Sequence, residues 1–142
     1  MDECWLDVTG SRRICGDAMS IAEKIRRTVR EELGLTVSIG VSYNKVFAKL
    51  GSDMKKPDAI TEIRSDTFKE KVWLLHCSEM IYCGRATTAK LEKYGIYTIG
   101  DVAQTDPKFI KQILGINGLA LWQYANGADS SKSDAQGLRF SR

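Results

Sequence analysis

The sequence predicts an α+β fold in which helices pack on a small sheet and a purely helical segment follows. Two observations carry this prediction: residues 1–63 read as strand, helix, strand, helix, strand, and no convincing strand follows residue 64. The chain has 142 residues, of which 43% are hydrophobic and 27% are charged. This composition is typical of a globular protein and argues against a disordered or membrane-spanning chain.

The first strand and helix have clear patterns. In "ECWLDVTG", Cys4, Leu6 and Val8 alternate with the residues between them, which predicts a short strand. Apolar residues then recur at helical spacing from residue 18 to residue 29, and Gly34 is placed to end this helix in the left-handed conformation. The opposite face mixes Lys and Arg with Glu. A solvated mixed-charge face is the simpler interpretation, and a DNA-binding face is the alternative.

The second half of the predicted sheet follows directly. "LTVSIGVS" alternates cleanly and predicts a half-buried strand over residues 35–42. Asn44 can cap the next helix, which has to end near Pro57 because proline disfavours helical backbone in its predecessor. "AITEI" predicts a weak third strand.

The remaining chain reads as short helices interrupted by glycine. They are predicted in "SDTFKEKVWLL", "RATTAKLEKYG", "TIGDVAQ", "DPKFIKQIL" and "LALWQYANG". We expect a domain boundary near residues 64–76. The tail "ADSSKSDAQGLRFSR" is polar and predicts a linker or a disordered end.

Charge and cysteine content favour no special partner by themselves. The net charge is +3, which permits a nucleic-acid partner without arguing for one. The four cysteines form no CxxC pair, so a zinc site at His76 and Cys77 is disfavoured and reduced thiols of a cytoplasmic protein are expected. Nothing near the N-terminus resembles a signal peptide.

A row of lysines follows the alternating strand. On a helix, Lys45, Lys49 and Lys56 fall nearly on one line with Ser52 between them, opposite an apolar stripe. A solvated lysine face is the simpler interpretation. The sharper one is an anion site, because lysine binds phosphate as a point charge.

Two further segments can carry chemistry. A turn holding Gly84 opens a helix that bears Arg85 and Lys90, and such openings can present N–H groups to phosphates, although an ordinary helical hairpin has the same pattern. Asp2 and Glu3 form an acidic pair of the kind that binds hard divalent cations. Acidic pairs at termini are common, so this pair gains weight only through its companions.

Together these segments resemble one family. "MDECWLDVTG" and "VSIGVSYNKVFAKLGSDMKKPDAIT" are similar to two palm motifs of the Y-family (translesion) DNA polymerases, with the UmuC/DinB branch and its ImpB/MucB/SamB proteins nearest. "GRATTAKLEKYGIYTIGDVAQTDPKFIKQILGINGLALWQYANGAD" resembles the family's thumb, which carries a helix-hairpin-helix element. One departure is Tyr82, which stands where the family often has the first glycine of G-x-G.

The resemblance implies a domain layout and an activity. Residues 1–66 would be the C-terminal half of the palm, 67–129 a small helical thumb, and 130–142 a linker toward a little-finger domain. The intact parent would be a DNA-directed DNA polymerase that copies past damaged bases, as in SOS-type damage tolerance, with primer-template DNA and deoxynucleoside triphosphates as partners and a sliding clamp as a further one. The isolated chain would be inactive.

The resemblance also implies site residues. Asp2 and Glu3 would be catalytic metal ligands in a site for two Mg²⁺ ions. Lys56 would bind the triphosphate and Lys49 would lie nearer the primer terminus. Gly84, Arg85, Thr87 and Thr88 would contact DNA. A non-catalytic helix-hairpin-helix DNA-binding module and an inactive fragment are the alternatives, and the acidic pair with the lysines favours the polymerase.

Overall fold

The computed structural model describes residues 2–128 and 137–141. These residues fall into two compact units: residues up to Ser65 together with 137–141 form the first, and the residues from Asp66 to 128 form the second. The described part contains no helix that is both long and apolar enough to cross a lipid bilayer.

The first unit is built on a sheet of four strands. They are β1 (Glu3–Asp7), β2 (Ser38–Ser42), β3 (Ile60–Ile63) and β4 (Gly137–Ser141), in the order β1-β4-β2-β3. β3 runs parallel to β2, whereas β4 is antiparallel to both of its neighbours. The prediction that no strand follows residue 64 is therefore wrong for 137–141. Most of the predicted tail, 129–136 and 142, lies outside the described residues.

Helices cover β2 on both faces. After a short helix α1 (Arg12–Cys15), α2 (Ala18–Leu33) packs Ala18, Ile21 and Ala22 against Ile39 and Val41 of β2. Helix α3 (Lys45–Met54) lies against the other face, and all five residues of β2 are buried. The prediction of a half-buried strand over 35–42 is thus wrong, because the face of Ser38, Gly40 and Ser42 contacts a second helix rather than water.

Local signals set the ends of these helices as the sequence predicts. Gly34 ends α2 with a φ of 65°. The side chain of Asn44 accepts a hydrogen bond from the N–H of Phe47 at 2.8 Å and so caps α3. Helix α3 ends at Met54, two residues before Lys56, so it positions Lys45 and Lys49 but not Lys56.

The second unit is helical in its described residues, apart from one isolated bridge between His76 and Thr98. Its helices are α4 (Phe68–Val72), α5 (Arg85–Glu92), α6 (Ile99–Gln104), α7 (Pro107–Leu114) and α8 (Ile116–Ala125), with a 3-10 turn at Cys77–Glu79. A reciprocal capping box between Thr98 and Asp101 satisfies the start of α6. Helix α5 begins differently, at Gly84, which has no side chain to cap it.

Candidate functional site

Strand β1 and helix α3 bring a carboxylate and a lysine of the predicted site together. Lys49 Nζ lies 2.8 Å from Glu3 Oε1 and 2.7 Å from Asp53 Oδ2, so one ammonium group bridges two carboxylates. The three side chains are between 20% and 31% exposed, which strengthens their attraction relative to a fully solvated pair. The indole N–H of Trp5 donates to the carbonyl of Lys45 at 3.2 Å and ties β1 to the first turn of α3.

The lysine row differs from the predicted one. Lys56 lies beyond the end of α3 and pairs with Asp53 Oδ1 at 3.3 Å, so it does not continue a straight helical row. Ser52 is fully buried and donates to the carbonyl of Lys49 at 2.8 Å. Asp53 is the ion-pair partner that sequence reasoning missed, although its position four residues after Lys49 is the spacing of helical ion pairs.

The acidic pair can supply part of a metal site. Carboxylate oxygens are the ligands that Mg²⁺ prefers, so Asp2 and Glu3 fit that ion in chemistry. Within residues 2–128 and 137–141 no three His, Cys, Asp or Glu side chains are grouped as a metal site requires. A divalent cation at Glu3 would compete with Lys49 for the carboxylate and would need further ligands from elsewhere.

The opening turn of α5 is an exposed, uncapped helix N-terminus. Gly84 is the N-cap residue with φ −76° and ψ −178°, and the first intrahelical bond runs from the N–H of Thr88 to the carbonyl of Gly84 at 2.9 Å. The N–H groups of residues 85–87 therefore have no acceptor within the helix. A side chain at Gly84 would meet no atom within 4 Å, so the space before this turn is open.

The four predicted DNA-binding residues do not share one face of α5. Gly84, Arg85 and Thr88 line a surface cavity of about 380 Å³. Thr87 lines a different cavity of about 440 Å³, between α5 and α8. A straight DNA backbone that reaches Gly84 and Arg85 would therefore run along either the Thr88 side or the Thr87 side of α5, and not along both.

Comparison with known proteins shows what the chain is similar to. Residues 1–53 match the impB/mucB/samB family model. Over 131 residues, the chain is 53% identical to DNA polymerase IV of Acetivibrio thermocellus, an alignment that covers 92% of the chain and 33% of that protein. DNA polymerase IV of Moorella thermoacetica is 36% identical over 138 residues, covering 97% of the chain and 34% of that relative. The chain spans about a third of the length of the curated relatives it matches.

Two solved structures share the fold. A post-insertion binary complex of Dbh DNA polymerase superimposes with a TM-score of 0.77, and a Dbh ternary complex with a TM-score of 0.75. Each is 27% identical to the chain, and each match covers 89% of the chain and 38% of the solved one. The mixed α+β architecture predicted from the sequence is confirmed by these matches.

Tyr82, which stands where the motif that the sequence resembles often has a glycine, has a backbone conformation that favours glycine. Its φ is 69°, in the left-handed region that only glycine enters without strain. Its ring is largely exposed and contacts the ring of Tyr124, with 5.9 Å between centroids. The turn before α5 thus keeps a glycine-type path although it carries a large side chain.

Proposed function

We propose that the chain is part of a DNA-directed DNA polymerase that copies damaged DNA in the cytoplasm. Residues 1–66 would be the C-terminal half of its palm, 67–129 its thumb, and 130–142 a linker. The observation that carries the proposal is the 53% identity to a DNA polymerase IV over 92% of the chain. The Dbh complexes, which share the fold, support it. Lesion bypass within an SOS-type response is the biological setting that the family suggests.

The palm half would contribute to nucleotidyl transfer through its carboxylates and lysines. Asp2 and Glu3 would hold Mg²⁺, which when bound stabilises negative charge on the transferring phosphoryl group. Lys49 keeps the Glu3 carboxylate against α3 and thereby fixes where it can coordinate. Lys56, which is 40% exposed, can leave Asp53 and contact the triphosphate of the incoming nucleotide.

The thumb would hold duplex phosphates at the opening turn of α5. The free N–H groups after Gly84 and the positive end of the helix dipole attract an anion, and Arg85 adds a full charge. Helices α5 and α6 with their glycine-bearing turns would form the helix-hairpin-helix element. Such contacts position DNA without reading its sequence.

A first experiment tests the phosphate contact in the chain as it stands. We expect Gly84→Val to leave the fold intact, because the backbone is extended and the added Cβ meets nothing within 4 Å. It should weaken duplex binding at least several-fold by holding the DNA backbone away. Gly10→Val, also in open space, is the matched control and should bind DNA as the parent does. Equal binding by both variants would remove Gly84 from the interface.

A second experiment tests catalysis in the full-length polymerase. Asp2→Ala or Glu3→Ala should nearly abolish single-turnover incorporation while DNA binding stays close to that of the parent. Asp7→Ala is the matched control, because Asp7 lies at the other end of β1 and caps a turn through the N–H of Thr9. An incorporation rate within a few-fold of the parent would show that the altered residue is not a metal ligand. Lys56→Ala should instead raise the nucleotide concentration that half-saturates incorporation.

A non-catalytic DNA-binding module is the second candidate. The ion pairs of Lys49 and Lys56 favour this candidate, because the partner carboxylates neutralise the positive charge with which these lysines would bind a triphosphate. The two candidates predict different results for Asp2→Ala in the full-length protein. A binding module retains DNA binding, which is its only activity, whereas the polymerase loses nucleotide incorporation.

A further inference from the structure

Two cysteines of the second unit lie together although five residues separate them. Cys77 and Cys83 are 0% and 4% exposed. The chain folds back between them through two successive turns, in which the N–H of Met80 donates to the carbonyl of Cys77 and the N–H of Cys83 to the carbonyl of Met80, each at 3.1 Å. The two thiols are thereby close enough to share a hydrogen bond.

The two thiols differ in access. Cys83 borders the open cavity of about 380 Å³ in front of Gly84, and its Sγ lies 3.6 Å from Thr88 Oγ1. Cys77 lies behind it, and burial, together with the neighbouring Cys83, raises the pKa of the Cys77 thiol to about 12. A small oxidant that enters the cavity therefore meets Cys83 first, while Cys77 remains protonated at neutral pH.

A metal site does not explain the pair. Over residues 2–128 and 137–141, no group of three or more His, Cys, Asp or Glu side chains could hold an ion. The other cysteines, Cys4 and Cys15, are exposed and belong to the first unit. What distinguishes Cys77 and Cys83 is that their thiols lie together and that Cys83 borders a cavity, so that an oxidised Cys83 would have a second thiol within reach.

We propose that Cys77 and Cys83 form a redox modification site at which hydrogen peroxide produces a reversible intramolecular disulfide. The Cys83 sulfur attacks one peroxide oxygen, the O–O bond breaks, and Cys83 sulfenic acid and water are formed. The Cys77 sulfur then attacks the Cys83 sulfur, the S–O bond breaks, and the departing hydroxide takes the Cys77 proton and leaves as a second water. The two sulfurs lose two electrons in total and the peroxide gains them.

The experiment uses the whole chain with Cys4→Ser and Cys15→Ser, so that only the pair can react. After treatment with hydrogen peroxide, free thiols are blocked with iodoacetamide and the chain is digested with trypsin without reductant. Cleavage after Lys71 and Arg85 places both cysteines in the peptide 72–85. We expect most of this peptide to be unalkylated and lighter by two hydrogen atoms, and to accept two alkyl groups only after dithiothreitol. A peptide that remains fully alkylated would overturn the proposal.

Two further variants test the assigned roles. With Cys77→Ser, the Cys83 sulfenic acid should persist and be captured by dimedone. With Cys83→Ser, Cys77 should stay unmodified at the same peroxide dose. Equal oxidation of Cys77 in the presence and absence of Cys83 would contradict the proposal. In the chain that keeps both Cys77 and Cys83, direct conversion of Cys83 to sulfinic acid while Cys77 stays reduced would contradict it as well. The disulfide test uses the chain that keeps both Cys77 and Cys83, so its result does not depend on whether the Cys77→Ser and Cys83→Ser variants fold.

Discussion

Gly40 is the position at which a single methyl group should do most damage to the first unit. A Cβ added there would lie 1.8 Å from the carbonyl oxygen of Ala48, 2.6 Å from the N of Ser52 and 2.9 Å from the carbonyl carbon of Ala48. All three are backbone atoms of α3, so no change of rotamer can relieve the contacts. Ordinary contact for a Cβ begins at 3.4 Å, so helix α3 would have to move by about 1.6 Å (3.4 minus 1.8) away from β2.

The expected loss in the free energy of unfolding follows from two opposing effects. Burying one extra methyl group contributes about 0.8 kcal/mol. Overpacking a well-packed core typically costs about 1–3 kcal/mol, and a clash with backbone belongs at or above the upper end. We therefore expect Gly40→Ala to lower the free energy of unfolding by at least about 3 kcal/mol. Alanine is otherwise no worse than glycine in a strand, so backbone preference does not contribute to the loss.

Urea unfolding followed by far-ultraviolet circular dichroism measures this effect. Gly10→Ala is the matched control, because its Cβ would meet nothing within 4 Å, and it should stay within about 0.5 kcal/mol of the parent. A loss below about 1 kcal/mol for Gly40→Ala would refute the close packing of α3 on β2 from which the estimate is derived.

Three further predictions concern the second unit. Asp101→Asn should cost about 1 kcal/mol of stability, measured by urea unfolding at neutral pH, because the carboxylate accepts N–H bonds from Tyr97 and Thr98 at 3.0 Å. The same bonds lower the pKa of Asp101 below 3.8, so this stabilisation is fully present above pH 3.8 and is lost as the pH falls through the pKa of the folded state. The free energies of unfolding of the parent and Asp101→Asn should therefore converge in acid. A difference that stays constant with pH would contradict this prediction. Tyr82→Gly should be more stable than Tyr82→Ala by about 1 kcal/mol in thermal unfolding, because both lose the Tyr124 contact and only glycine relieves the positive φ.

Features set by a few neighbouring residues were predictable from the sequence. The cap at Asn44, the left-handed end at Gly34 and the start of a helix after Thr98 each depend on one side chain or one backbone conformation, and all three are found. The same holds for the alternation that places Ile39 and Val41 on one face of β2. These signals act within four residues of each other, so pattern and propensity are sufficient to find them.

Features set by distant residues were not predictable. β4 is a short segment at the end of a polar stretch. Its place between β1 and β2 depends on pairing with residues as distant in the chain as Cys4 and Ile39, which are both Cα partners of Phe140. The burial of the second face of β2 depends on α3, whose close approach is allowed by Gly40. The ion pair of Glu3 with Lys49 and the meeting of Cys77 with Cys83 likewise arise only from the folded chain.

The salt dependence of duplex binding tests most directly the claim that α5 presents a phosphate site. The anisotropy of a labelled duplex is measured with the parent, Arg85→Ala and Lys93→Ala at several salt concentrations. Both variants lose one charge, but Arg85 opens α5 whereas Lys93 follows its last residue. Each phosphate contact contributes about −0.9 to the slope of log K against log salt, so Arg85→Ala should reduce the slope by about that amount and Lys93→Ala should leave it unchanged. Equal slopes for the two variants, or binding that does not respond to salt, would contradict the account.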